Sequence, residues 1–393
     1  MHLFTKLSNK KKKLVVGLMS GTSADGIDAV LLEVKGSGHS TRFRQLSFLT
    51  HPFPRGFKQF LLRQSDPASA RLDDITRLHV LVGELFADAA ARVVDKAGKK
   101  LADVDLIGSH GQTVQHLPAV RVLFGKKIRS TLQLGAPSII AKRTGVITVG
   151  DFRLGDIAVG GFGAPLVPYF DFITLRSRNV NRAALNLGGI ANITILQKDC
   201  SLKDVSAFDT GPGNMVVDGL TQILYDRQFD SGGSIAFTGN ILPGMLKELL
   251  RQPYFRMSPP KSTGRELFGA GCINTMLRGG HKHRPQDLIA TATEFCASSI
   301  YDQYLRFVRP HTPLKELIVS GGGVHNRFLM DALRRYFEPV EVIGIDTLGI
   351  NSDAKETVCF ALLANETIAN TPANVPGATG ARKGTVLGLI SLP

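Results

Sequence analysis

Residues 14–34, LVVGLMSGTSADGIDAVLLEV, set an apolar run, a short polar turn and a second apolar run in immediate succession. The first run is rich in residues that favour a pleated strand, and residues 26–34 can return antiparallel to it. Between the runs lies Ser20-Gly21-Thr22-Ser23-Ala24-Asp25-Gly26. Such a turn gathers backbone N–H groups and hydroxyls into one concavity, which suits a chain of phosphates. It is not a Walker A loop, because no Gly-Lys-Ser/Thr follows and the next segment reads as a strand rather than a helix. A Gly-rich hairpin turn without a ligand fits the same residues.

Two further Gly-rich turns begin where strands would end: Asp209-Thr210-Gly211-Pro212-Gly213-Asn214, and Ser320-Gly321-Gly322-Gly323-Val324-His325-Asn326 after residues 316–319. Between them and the first turn, the chain alternates strand and helix patterns. Ile75, Leu78, Leu81, Leu85 and Ala89 recur at three and four, which predicts a helix over about 69–97. Residues 105–108 read as a strand delivering Ser109, His110, Gly111, Gln112 and Thr113 to its C-terminal end, where open α/β sheets place ligands. A hydrogen-bonded turn is the plain alternative for that cluster. Residues 121–130 read as a basic hairpin or loop.

Residues 145–168 are the least ordinary segment. A strand over 146–149 runs into Asp151, Arg153 and Asp156, then a dense turn at Gly160, Gly161 and Gly163. Glycines let a backbone approach a ligand closely, and a carboxylate just before them can serve as a base. An Asp–Arg ion pair bracing a domain crossover accounts for the same residues.

A second lobe opens near Arg182. Residues 183–187, Gly188-Gly189 and 190–196 repeat the pattern strand, glycine turn, strand, an echo of the opening hairpin that suggests internal duplication. Asn186 and Asn192 interrupt apolar strands and should make specific hydrogen bonds. Asp287 can cap a helix whose Leu288, Ala292, Phe295, Cys296, Ile300, Tyr304 and Phe307 share a face. Asn326 can cap a helix over 327–337. Residues 353–365 form another, with Glu356 in its first turn, where the helix dipole alone favours an acid. Residues 385–390 read as a short last strand that can return to the first lobe.

At 393 residues, 43% hydrophobic and 20% charged, the chain fits two ordinary globular domains. Its four cysteines (Cys200, Cys272, Cys296, Cys359) show no metal spacing and read as buried thiols of a reducing compartment. His281 and His283 lack the partners of a zinc site. The net charge of +14 favours anionic partners, with Lys10 to Lys13 reading as a solvated tail. No recognition motif with interleaved aromatics accompanies that charge, so nucleic acid is not expected. The apolar run after the lysines is shorter than a signal-peptide core, and no run approaches a membrane span, so a cytoplasmic protein is expected.

Three glycine turns on a two-lobed α/β chain resemble the sugar kinase, Hsp70 and actin superfamily. Within it, GTSADGID resembles the anhydro-N-acetylmuramic acid kinases. The likeness extends through HGQT at His110, DFRLGDIAVGGFGAPLVP from Asp151, LNLGGIANIT at Leu185, DTGPGN at Asp209, PPKSTGRE at Pro259, SGGGVHN at Ser320, AKE at Ala354 and ATGAR at Ala378. It implies a two-lobed actin-like ATPase fold, each lobe a mixed sheet flanked by helices on a duplicated ribonuclease-H-like core. The lobes are expected as 14–145 plus 377–393, and 146–376, after a basic tail over 1–13.

The resemblance also implies the chemistry. That family uses ATP and water to convert 1,6-anhydro-N-acetylmuramic acid to its 6-phosphate. Asp156 matches the family's catalytic base and Glu356 a second carboxylate near the reacting centre. The nucleotide is expected at Ser20, Gly21, Thr22, Ser23, Asp25, Gly26 and Asp28, at Asn186, Gly188 and Gly189, at Asp209, Gly211, Gly213 and Asn214, and at Gly321, Gly322, Gly323 and Asn326. The sugar is expected at His110, Gln112, Thr113, Arg153, Gly161 and Gly163, and Mg²⁺ at Asp25 and Glu356. A homodimer is the family's habit. Phe162 and Ala136 depart from the family's usual Gln and acidic residue. The related levoglucosan kinases are an alternative, as is an ATP-driven binding module, but Arg153 suits the carboxylate of a muramic substrate.

Overall fold

β1 (Lys13–Ser20) and β2 (Gly26–Lys35) pair antiparallel around the first turn, with Leu14 opposite Glu33 and Met19 opposite Asp28. This is the hairpin the opening residues predict. A computed structural model describes residues 3–21 and 24–393. Thr22 and Ser23, expected at the nucleotide, lie outside the described residues.

The chain divides into two compact units, 1–173 with 354–393, and 174–353. The segment 151–163 and the helix carrying Glu356 therefore belong with the first turn rather than with the second lobe expected for them. In the first unit, β3 (Arg42–Pro52) continues the antiparallel meander beside β2. β4 (Leu106–Leu123) joins the other side of β1 in parallel and hairpins into β5 (Lys126–Leu134). β6 (Thr148–Gly150) lies parallel to β4, and Leu389–Ser391 closes the edge against β6. The last strand thus returns to the first unit, as read from the sequence.

Strand alternation explains how this sheet is covered. Val16 and Leu18 of β1 point into a core with Ile27, Leu31 and, from the helix Leu72–Lys96, Phe86, Ala90 and Val93. Gly17 points to the other face, beside Gly108 of β4. A Cβ at Gly17 would lie 2.2 Å from the Thr357 carbonyl oxygen, and one at Gly108 would lie 2.1 Å from that of Phe360. Two neighbouring glycines therefore let the helix Lys355–Ile368 lie directly on the sheet. Side chains there would fill the space the helix needs.

The second unit repeats the order. β7 (Arg182–Leu187), β8 (Ile190–Leu196) and β9 (Ser206–Pro212) form an antiparallel meander, while β10 (Glu316–Ser320) and β11 (Glu341–Gly344) extend from β7 in parallel. Across the core the first sheet reads β3, β2, β1, β4, β6, with β5 a hairpin extension of β4, and the second reads β9, β8, β7, β10, β11. That is the duplicated ribonuclease-H-like arrangement, each sheet mixed and flanked by helices. One face of the second sheet buries Leu185, Ile193 and Val319 against the helices Pro285–Gln303 and Arg327–Phe337.

Several local readings change. Residues 109–113 do not follow a strand end, because β4 runs on to Leu123. The helix expected from Asp287 starts earlier, with Arg284 at its N-cap. Asp287 instead accepts from the Asn240 N–H and pairs with Arg284, each at 2.7 Å. Asn326 does cap its helix, accepting from the Leu329 N–H. The lysine run is docked rather than a free tail: Lys10 pairs with Asp105, Lys12 with Glu33, and buried Lys13 donates to Asn365. All four cysteines are buried and reduced.

Candidate active site

In the first unit the opening turn is held from inside. Ser20 Oγ donates to the Gly26 carbonyl at 2.8 Å, and Gln112 Nε2 donates to the Gly21 carbonyl at 3.1 Å. Gln112 thus supports the turn, and its buried Oε1 has no hydrogen-bond partner among the described residues. Thr113 accepts from Gln133 across the β4–β5 pair. Asp25 is exposed and paired with Lys58. Asp28 is half-buried and accepts from Thr50 Oγ1 at 2.6 Å.

Residues 151–163 contain two aspartates in opposite settings. Asp156, on the helix Phe152–Ala158, is fully buried. Its Oδ2 accepts from the Gly163 N–H at 2.9 Å, and its Oδ1 accepts from Asn374 Nδ2 at 2.8 Å and Thr379 Oγ1 at 2.7 Å. Gly161 is pressed against the same carboxylate, since a Cβ there would lie 2.0 Å from Oδ2. Three donors and no exposed surface make Asp156 a brace for the Gly160–Gly163 turn. Gly161 and Gly163, expected at the sugar, here enclose this carboxylate.

Asp151 stands where β6 ends and the helix begins, in the left-handed region at φ 56°. Its carboxylate is half-buried and makes no hydrogen bond among the described residues. Burial without a partner raises its pKa above the ordinary aspartate range. A basic carboxylate on a strained backbone at a strand end is a recurrent active-site setting. The sequence reading noted Asp151 but gave it no role.

Arg153 donates through Nε to His110 Nε2 at 3.0 Å and through Nη1 to the Gly163 carbonyl at 2.8 Å. Burial lowers its pKa to about 10, a shift partly offset by Glu356. Burial, with the Arg153 charge beside it, pushes His110 well below the usual histidine range and His116 to about 4. Glu356 is half-buried in the first turn of its helix. Burial raises its carboxyl, Lys355 and Arg153 oppose that, and Asp28 adds to it.

In the second unit three glycine turns converge. The Asn214 N–H donates to the Gly188 carbonyl and the Gly213 N–H to that of Gly189. Asn214 Nδ2 reaches the Leu187 carbonyl at 3.2 Å. A Cβ at Gly213 would lie 2.2 Å from the Gly188 oxygen, and one at Gly321 would lie 2.8 Å from Asn186 Oδ1. Ser320 and Asn186 are register partners on parallel strands, which brings the turns of β7 and β10 side by side. Asp209 is tied to the loop after Pro259–Pro260, accepting from the Thr263 N–H at 2.9 Å, and burial pushes it up to about 6.

Beside these turns opens a cavity of about 300 Å³. It is lined by Asn214, Val217 and Asp218 of the helix Asn214–Tyr225, by Phe229 to Gly232, and by Gly322, His325 and Asn326. Burial, with Asp230 adding to it, pushes Asp218 up to about 7. Of this lining, the sequence reading found Asn214, Gly322 and Asn326 and missed the rest. Asp218 falls one turn after Asn214 on the same helix face, a signal that was present.

Comparison with known proteins adds an independent line. Residues 13–393 match the family model described as anhydro-N-acetylmuramic acid kinase. A protein of that name from Caldanaerobacter subterraneus subsp. tengcongensis is 44% identical over 396 residues, covering 100% of both chains. One from Salinibacter ruber is 45% identical over 395 residues, again covering 100% of both, and one from Clostridioides difficile is 44% identical over 377 residues, covering 96% of this chain and 97% of its own. With the motifs spread over both units and a match that spans both, the chain belongs to the anhydro-N-acetylmuramic acid kinase family.

Proposed function

We propose that this chain transfers the γ-phosphoryl group of ATP to O6 of 1,6-anhydro-N-acetylmuramic acid while water opens the anhydro bridge, giving N-acetylmuramic acid 6-phosphate for cell-wall recycling. Full-length identity to relatives of that name supports the reading. The observation that carries the mechanism is Asp151, a half-buried carboxylate with a raised pKa and no hydrogen-bond partner among the described residues. We give it the general-base role in place of Asp156, which is fully buried and already accepts three hydrogen bonds. Asp151 takes a proton from water as the water oxygen bonds to C1 and the C1–O6 bond breaks. O6 bonds to the γ-phosphorus as its bond to the β,γ-bridging oxygen breaks, and ADP leaves. Capture of O6 as a phosphate ester makes an otherwise poor leaving group acceptable.

The glycine cradle of the second unit fits a nucleotide, since side chains at Gly213 or Gly321 would fill it, and the adjacent cavity is of nucleoside size. No cluster of three acidic, His or Cys side chains occurs among the described residues, so Mg²⁺ would rest on one or two carboxylates and phosphate oxygens. Glu356, with Asp28 acting on it, fits that chemistry, and the ion would neutralise charge on the phosphates. Asp25, already paired with Lys58 at the surface, fits it less well. Action in the cytoplasm as a homodimer, without nucleic acid, belongs to the same reading. Among the described residues no helix is long and apolar enough to cross a membrane.

The test is ADP release with the anhydro sugar in ¹⁸O-water. Label is expected on C1 of the product and not in the phosphate. Label in the 6-phosphate and none on C1 would overturn the assignment of bonds.

A further inference from the structure

The Arg153 guanidinium is oriented without being neutralised. His110 Nδ1 lies 3.0 Å from the Gly111 carbonyl oxygen, which can only accept, so Nδ1 carries the proton. Its Nε2 is then a lone pair, and Arg153 Nε, which can only donate, meets it at 3.0 Å. The ring is buried and lies 4.4 Å from that of Phe360, centroid to centroid, so this acceptor is fixed in place. The second anchor, Gly163 carbonyl to Nη1, is likewise neutral. Nη2 has no hydrogen-bond partner among the described residues, and no carboxylate is bonded to the group. A carboxylate in the place of His110 would hold Arg153 equally well, but it would compete with any anionic ligand for the same charge. A neutral imidazole orients the fork without forming an ion pair, while Glu356 acts on the charge through space and is not hydrogen-bonded to it.

We propose that His110 is a positioning residue that aims Arg153 at a carboxylate on the sugar, and that this pair sets a preference for acidic over neutral anhydro sugars. The inference rests on the phosphorylation of an anhydro sugar proposed above and adds which substituent is read and by which side chains. His110, expected to touch the sugar itself, acts through Arg153.

The experiment compares 1,6-anhydro-N-acetylmuramic acid with its methyl ester and with 1,6-anhydro-N-acetylglucosamine, following ADP release. The wild type should favour the acid by roughly 10- to 100-fold in kcat/KM, the range for losing a charge-assisted hydrogen bond. Arg153→Met should bring that ratio near one. His110→Leu should reduce it several-fold through KM for the acid, and His110→Gln, whose amide oxygen can accept where Nε2 does, should restore it. A wild-type ratio near one, an Arg153→Met ratio like the wild type's, or a His110→Leu loss equal on all three sugars would overturn the proposal. So would an Arg153→Met effect confined to KM for ATP, which would give the guanidinium to a phosphate. Should His110→Leu not fold, the wild-type and Arg153→Met ratios decide. ADP release from all three sugars at equal rates refutes only this inference, whereas none from any of them overturns the proposed function and this inference with it.

Discussion

Exchanging Asp151 and Asp156 separately for Asn should split stability from catalysis. In Asp156→Asn the amide oxygen can keep Asn374 and Thr379, but the new NH₂ then faces the Gly163 N–H. One hydrogen bond to a charged acceptor is lost, worth about 1.5–3 kcal/mol, and a buried donor is left unsatisfied. A loss of about 3 kcal/mol in a unit of this size lowers Tm by roughly 6–12 °C. The Gly160–Gly163 turn loosens with it, so KM for the sugar should rise while measurable turnover persists.

Asp151→Asn should do the reverse. No hydrogen bond among the described residues is broken, and Asn tolerates the left-handed backbone at φ 56° as well as Asp does. The carboxyl's folded pKa is raised above its unfolded value. Its favourable term is therefore complete only below the unfolded pKa and is lost as pH rises through the folded one. The Asn variant lacks that loss, so its Tm at pH 8 should equal or exceed the wild type's. Its turnover should fall about 10²–10⁴-fold. Differential scanning fluorimetry and coupled ADP release on both variants settle the matter. An Asp156→Asn protein with unchanged Tm and abolished turnover, beside an active Asp151→Asn protein, would refute the reasoning.

Asp218, with its carboxyl at about 7, should destabilise the second unit progressively as pH rises from about 4 to about 7 and level off above that, so Asp218→Asn should melt higher than the wild type at pH 8.5 and alike at pH 4 in denaturation curves. Gly108→Val places side-chain carbon against the Phe360 carbonyl, and soluble expression with circular dichroism should report loss of the fold of the first unit. A folded Gly108→Val protein would mean that the helix Lys355–Ile368 does not need that close approach.

The frame was legible because its signals are local. Alternating apolar residues around Ser20–Gly26 fix the β1–β2 hairpin, and the same pattern around Gly188-Gly189 gives β7–β8, so the duplication is readable from two stretches. Glycine turns are equally local, since Gly213 and Gly321 are required by neighbouring backbone. The partners of Asp156 were not legible. Asn374 lies 218 positions away along the chain and Thr379 lies 223 away, and no periodicity links them. Asp151 and Asp156 both precede the same glycines, so spacing could not rank them as bases. Backbone sign and hydrogen bonding separate their settings, and the base role proposed for Asp151 rests on that difference. The lysine run misled because charge alone reads as solvated, whereas Glu33, Asp105 and Asn365 receive three of its members.

The order of the chain also explains why the first unit carries its chemistry on two distant segments. Its sheet is complete in outline by β6, yet the face bearing Gly17 and Gly108 stays open until the chain returns at Ala354. The helix Lys355–Ile368 then supplies three things at once: backbone that seats on the glycines, Phe360 against His110, and Glu356 acting on Arg153. Residues just beyond it bring Asn374 and Thr379 to Asp156. The packing of the His110 ring and the brace of the glycine turn therefore both depend on residues synthesised last. A fragment ending at 353 would keep every motif of 151–163 but lose the contacts that fix their geometry. The DFRLGDIAVGGFGAP segment thus holds its observed geometry only in the context of the returning helix and the residues just beyond it.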